Sequence, residues 1–193
     1  MLEILKKLDF NPDQIKRICC DSFFAADLSA NIKLLHLLRD EFNFDPEEIK
    51  KFCVNATFSA GPAEVADFVR WLTAPGDTGF TPADASRMRY WCTQWKKNKE
   101  EVKAAILDCT RLFDRDLAMK FLCDSVYVAH WRQLLPILRE MVPLFDKHKV
   151  DRVFLRRIFR KAIFMKRARL ICNDLKKSTN FKEMVNALWN QQK

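Results

Sequence analysis

The chain has 193 residues, 49% hydrophobic and 31% charged, a balance that suits a folded domain rather than a disordered one. Its only glycines are Gly61, Gly76 and Gly79, against about 7% in an average protein. Their spacing excludes both the dinucleotide-binding G-x-G-x-x-G turn and the Walker A loop. The formal charge of +9 leaves room for an acidic partner without identifying one, and no apolar run approaches the ~18 residues of a membrane span.

Scarce glycine also argues against a sheet of many tight turns, which points to an all-α chain. The seven cysteines (19, 20, 53, 92, 109, 123 and 172) are odd in number and never spaced as C-x-x-C. With no charged-then-apolar leader at the start, they read as reduced thiols of a cytoplasmic or nuclear protein.

In chain order, residues 1–9 read as an N-terminal capping helix. Then Phe10-Asn11-Pro12-Asp13 recurs as Phe44-Asp45-Pro46-Glu47 and as Phe80-Thr81-Pro82-Ala83, 34 and 36 residues apart. Each copy is a complete helix start. Asn11, Asp45 or Thr81 can accept from an orphan first-turn amide, and proline at the first helical position gives up no bond. Acids or amides follow, where the helix dipole favours them, and Phe10 with Ile15 and Phe44 with Ile49 fit a hydrophobic staple.

Each start is followed by a short polar stretch and a second apolar helix. The second-helix sets are Ile32-Leu34-Leu35-Leu38, Val65-Phe68-Val69-Leu72 and Val102-Ala105-Ile106-Cys109, which follow the helical period. Two further pairs lack the Phe-x-Pro start. One has Leu117, Phe121 and Leu122, then Trp131, Leu134 and Leu138; the other has Val153, Phe154 and Ile158, then Ala168, Ile171 and Leu175.

The expected fold is therefore an all-α helical-repeat solenoid of about five helix-loop-helix units, in one domain over residues 1–193. The units run approximately 10–43, 44–79, 80–113, 114–147 and 148–180, with caps at 1–9 and 181–193.

Gly79-Phe80-Thr81-Pro82-Ala83-Asp84-Ala85 and Asn43-Phe44-Asp45-Pro46-Glu47-Glu48-Ile49 resemble the inter-repeat segment of divergent ankyrin arrays, found in large DNA viruses, intracellular bacteria and protists. The helix-two segments Ala63–Val69 and Lys99–Lys103 are also similar to that family's second helix. The resemblance covers roughly residues 10–175. It implies a non-enzymatic adaptor that binds another protein, acting in the host cell if the source is viral or bacterial. The threonine-proline-leucine-histidine start and most inter-helix glycines of ankyrin repeats are absent.

The first unit can also be laid without gaps on the DNA-reading repeat of TAL effectors, which would put Asp21-Ser22 at the base-reading positions. Phe23 and Phe24 stand where that family has small residues for close backbone approach to a base.

No catalytic, cofactor or metal constellation is evident. The histidines His36, His130 and His148 lie in no H-E-x-x-H or nucleophile-elbow context. Cysteines at equivalent places in stacked units would lie about a helix diameter (~10 Å) apart, too far to share one zinc ion.

Tyr90, Trp91 and Trp95 form the best aromatic cluster for partner contact if their rings are exposed, and otherwise fill the core. Charge concentrates in residues 147–177, with twelve Lys or Arg against two acids. There Arg152, Arg156, Arg157, Arg160, Lys161, Lys166, Arg167 and Arg169 would face an anionic partner: nucleic acid as the alternative function, a lipid surface, or an acidic protein.

Overall fold

The structure is a computed structural model that describes residues 2–7, 10–20, 28–53, 61–74, 76, 78–156, 158 and 167–190. Its described residues are helices joined by turns, with no strand among them. They group into two compact units, Met1–Val102 and Lys103–Lys193.

The first unit holds α1 (Leu2–Lys7), α2 (Pro12–Cys19), α3 (Leu28–Asp40), α4 (Pro46–Cys53), α5 (Pro62–Thr73), α6 (Pro82–Arg87) and α7 (Trp91–Trp95). Helix α8 (Lys99–Leu112) begins in this unit and ends in the second. The second unit continues with α9 (Arg115–Leu122), α10 (Ser125–Lys147), α11 (Ala168–Lys177) and α12 (Phe181–Asn190).

In the first unit α2 packs on α4 and α4 on α6, while α3 packs on α5. First helices thus meet first helices, and second helices meet second helices. Helix α5 also packs against α6 and α7, which follow it in the chain. In the second unit α10 packs against both α9 and α11, and α12 packs on α11.

Local chemistry accounts for the starts. Asn11 Oδ1 accepts from the Gln14 amide at 2.9 Å while Gln14 Oε1 accepts from the Asn11 amide at 2.8 Å. Asp45 and Glu48 make the same reciprocal pair, at 2.7 and 3.3 Å. Thr81 and Asp84 do so at 3.2 and 3.0 Å. All three proline-marked starts are capping boxes, each satisfying two otherwise orphaned amides.

The same kind of start occurs at two places where proline is missing. Phe113 precedes Asp114, which caps α9 by accepting from the Leu117 amide at 2.9 Å. Val150 precedes Asp151, whose Oδ1 accepts from the Val153 amide at 2.8 Å. The five apolar residues that precede a cap, Phe10, Phe44, Phe80, Phe113 and Val150, stand 34, 36, 33 and 37 residues apart.

The burial register follows them. Five residues beyond each lie Ile15, Ile49, Ala85, Ala118 and Leu155, and eight beyond lie Ile18, Phe52, Met88, Phe121 and Ile158; all ten are buried. Phe44 stacks on Phe52 with ring centroids 5.5 Å apart, and Phe113 stacks on Phe121 in the same register at 4.8 Å.

Second helices bury residues at i, i+3, i+4 and i+7: Asn31, Leu34, Leu35, Leu38; Val65, Phe68, Val69, Leu72; Val102, Ala105, Ile106, Cys109; and Trp131, Leu134, Leu135, Leu138. The last pair keeps the phase with Ala168, Cys172 and Leu175 buried and Ile171 half-buried. At about 1.5–3 kcal/mol for each large apolar side chain, this stripe is the dominant favourable term.

Two elements differ from the simple helix-pair expectation. The first helix expected in the segment 80–113 is broken into α6 and α7 by a turn at residues 88–90. The second helix expected in the segment 114–147 does not begin near Trp131. Asp124 instead starts α10 at Ser125, and His130 (φ −121°, ψ 15°) interrupts it before the apolar stripe begins. Exposed Pro136 and Pro143 lie inside α10, where each removes one backbone donor.

Candidate interaction site

The aromatic cluster is absorbed by the first unit's core. Trp91 is fully buried and Trp95 is 3% exposed. Phe68 meets the Trp95 ring edge-on at 5.3 Å, Trp71 lies at 5.1 Å, and Trp95 Nε1 donates to Asp67 Oδ2 at 2.8 Å. The indole therefore has both its face and its donor occupied from α5. Lys99 Nζ sits 5.3 Å over the same ring and donates to Asp67 Oδ1 at 3.0 Å. Tyr90 is half-buried, with the Arg89 guanidinium 4.6 Å over its ring. Of the three rings expected to meet a partner, only Tyr90 keeps substantial exposure.

The thiols follow the same pattern. Cys92, Cys109 and Cys172 are buried and free, Cys123 is half-buried, and Cys20 is exposed. Burial pushes the Cys109 thiol up to about 12 and that of Cys92 higher still, so neither is a nucleophile at neutral pH. Among the described residues no group of three His, Cys, Asp or Glu could hold a metal ion.

The second unit carries 20 Lys and Arg against nine Asp and Glu, a formal +11, whereas the first carries 14 against 16. Several of these cations are engaged within the unit. Arg152 donates to both Asp146 oxygens, at 2.7 and 2.5 Å, and to the Leu112 carbonyl at 2.7 Å. Arg156 Nη2 donates to Asp124 Oδ2 at 3.1 Å. Arg169 Nη1 donates to both Glu140 oxygens at 2.7 and 2.8 Å, and Lys176 joins the same carboxylate. The hydrogen bonds from Arg169 and then Lys176 hold the Glu140 carboxyl down at about 2, and the bond from Arg152 lowers that of Asp146.

Phe121, Asp124, Tyr127, Leu134 and Arg156 line a small hollow. Asp124 has one oxygen on Arg156 and the other on the α10 amides of Val126 and Tyr127, so the polar wall of this hollow is structural.

Thus Arg152, Arg156 and Arg169 act as staples between helices and chain segments of the second unit. Arg167 is exposed; Arg157, Arg160, Lys161 and Lys166 lie outside the described residues. Lys147, Lys149 and Lys177 of the basic segment are exposed, as is Lys182 just beyond it. Arg156 and Arg169 meet carboxylates 32 and 29 residues away in sequence, and Arg152 meets one six residues away. No protein-family model, curated protein or solved structure matches this chain.

Proposed function

We propose that the chain is a non-enzymatic interaction protein, a helical-repeat solenoid of ankyrin-like type whose repeat surface binds another protein. The observation that supports this most is the five-fold register of apolar lead residue, cap and buried positions, with first helices packed on first helices and second on second in the first unit. Helix starts spaced 33–37 residues apart agree with an ankyrin-like array. Packed helices hold surface charges in fixed places, so little ordering entropy is lost on docking. Buried free thiols at Cys92, Cys109 and Cys172 suit a reducing cytoplasm or nucleus. By analogy with the arrays it resembles, the protein acts inside a host cell if its source is viral or bacterial.

Cross-linking of the full chain in nuclease-treated cell extract, read by mass spectrometry, tests this. A protein neighbour cross-linked to repeat surfaces supports the reading. Recovery of the chain alone sinks it.

A second reading, nucleic-acid binding through residues 147–177, is favoured by the +11 of the second unit. It requires retention on random duplex or single strands at ~150 mM salt, with a steep fall as salt rises.

A further inference from the structure

We propose that the joint between α10 and α12 is a docking point for an acidic segment of the partner protein, read by Lys147, Lys149, Lys177 and Lys182. This rests on the adaptor reading above and names the chemistry of its partner.

The joint is held by the His148 ring, stacked on Phe181 with centroids 4.6 Å apart and planes 10° from parallel, and by Phe145, edge-on to Phe181 at 5.2 Å. Lys147 and Lys149 flank His148 in the chain. Lys182 follows Phe181, and Lys177 closes α11 four residues before it. All four lysines are exposed, and Asp146, the acid next to Lys147, is taken by Arg152.

Two of these lysines stand where local stability disfavours them. Lys149 has φ 52°, in the left-handed region. It is the C′ residue of a Schellman cap: the Val150 amide donates to Phe145 at 2.9 Å and the Lys149 amide to Asp146 at 3.1 Å. The residues in the same place before Phe44 and Phe80 are Asn43 (φ 54°) and Gly79 (φ 66°), types that tolerate this conformation. Lys182 occupies the second position of α12, where the helix dipole opposes a cation. Lys147 and Lys177 lie in last turns, where the dipole welcomes them, so they add charge to the joint but no argument of their own. Two departures from local preference around one stacked joint mark a surface kept for something other than folding.

The chemistry favours carboxylates over nucleic acid. Phe181 is 2% exposed and its face is covered by His148, so the Phe181 ring is closed to a stacking base. The neighbouring arginines, whose forked donors grip phosphate bidentately, are occupied by Asp146 and Glu140. What remains is chiefly a set of separate ammonium charges, with Glu183 the acid beside Lys182, suited to a run of acidic side chains.

The test is fluorescence anisotropy of a labelled glutamate-rich peptide with the full chain at ~150 mM salt. The double variant Lys149→Gly with Lys182→Gln should bind about ten-fold more weakly, with a thermal midpoint equal to or above that of the parent, because both changes relieve local strain. Lys97→Gln, at an exposed lysine of the first unit, should leave binding unchanged. Parent-like affinity in the double variant, no peptide binding by the parent, or tighter binding of oligothymidylate or anionic vesicles would each overturn the proposal. Any of these leaves the adaptor reading to stand or fall on its own cross-linking experiment.

Discussion

Arg156 reaches back 32 residues to donate to Asp124 at 3.1 Å, while the other oxygen of Asp124 holds the first turn of α10 through the amides of Val126 and Tyr127 at 2.9 and 3.3 Å. One buried carboxylate therefore serves a helix start and a staple between distant chain segments. Asp124→Ala removes both and should cost about 2–3 kcal/mol, a figure moderated because Arg156 keeps partial solvent access. Asp124→Asn keeps the capping oxygen and should cost about 1 kcal/mol. Urea denaturation of the three proteins checks the order.

The stacked pair Phe44–Phe52 has its counterpart in Phe113–Phe121, eight residues apart in both cases. Truncating Phe52 or Phe121 to alanine should destabilise by about 3–5 kcal/mol through the cavity left behind. Phe52→Met should cost under about 1.5 kcal/mol, because Met88 already fills the same register position fully buried. Thermal or denaturant midpoints separate the two substitutions.

Glu140 has its folded carboxyl held at about 2 by Arg169 and Lys176, below the ordinary value of 4.5. A depressed carboxyl binds its proton more weakly in the folded state, so its stabilising contribution is present above about 4.5 and is lost as pH falls towards 2. The Tm difference between the parent and Glu140→Gln should be constant at neutral pH and shrink to nothing over that window. A difference independent of pH would contradict the pairing.

The cysteines should divide by exposure. Cys20 should react readily with iodoacetamide, whereas Cys92, Cys109 and Cys172 should be protected until the chain unfolds. Peptide mass spectrometry before and after urea addition reads this directly.

What the sequence made legible was chemistry confined to a few neighbouring residues. Asn11, Asp45 and Thr81 declare their caps because side chain and amide lie three residues apart, and the apolar stripes declare their helices because burial follows the helical period. Phe113-Asp114 and Val150-Asp151 are the same starts, obscured only because arginine replaces the proline that marks the others. Long-range facts were not legible. Nothing near Trp95 announces that Asp67 and Phe68, 28 and 27 residues earlier, take its donor and its ring. Nothing in the basic segment distinguishes Arg169, spoken for by Glu140, from exposed Arg167 two positions before it.

In the proposed solenoid each repeat runs from one capped helix start to the next. Deleting residues 44–79 removes one unit and joins Asn43 to Phe80, restoring a Phe–cap–Pro start in its usual place. Deleting only residues 44–61 removes less chain but sets α3 directly against α5, with no first helix between them. Equilibrium urea unfolding followed by circular dichroism should show a cooperative transition for the whole-unit deletion and none for the half-unit deletion. Loss of cooperative unfolding in the whole-unit deletion, with the two shortened chains behaving alike, would contradict the account.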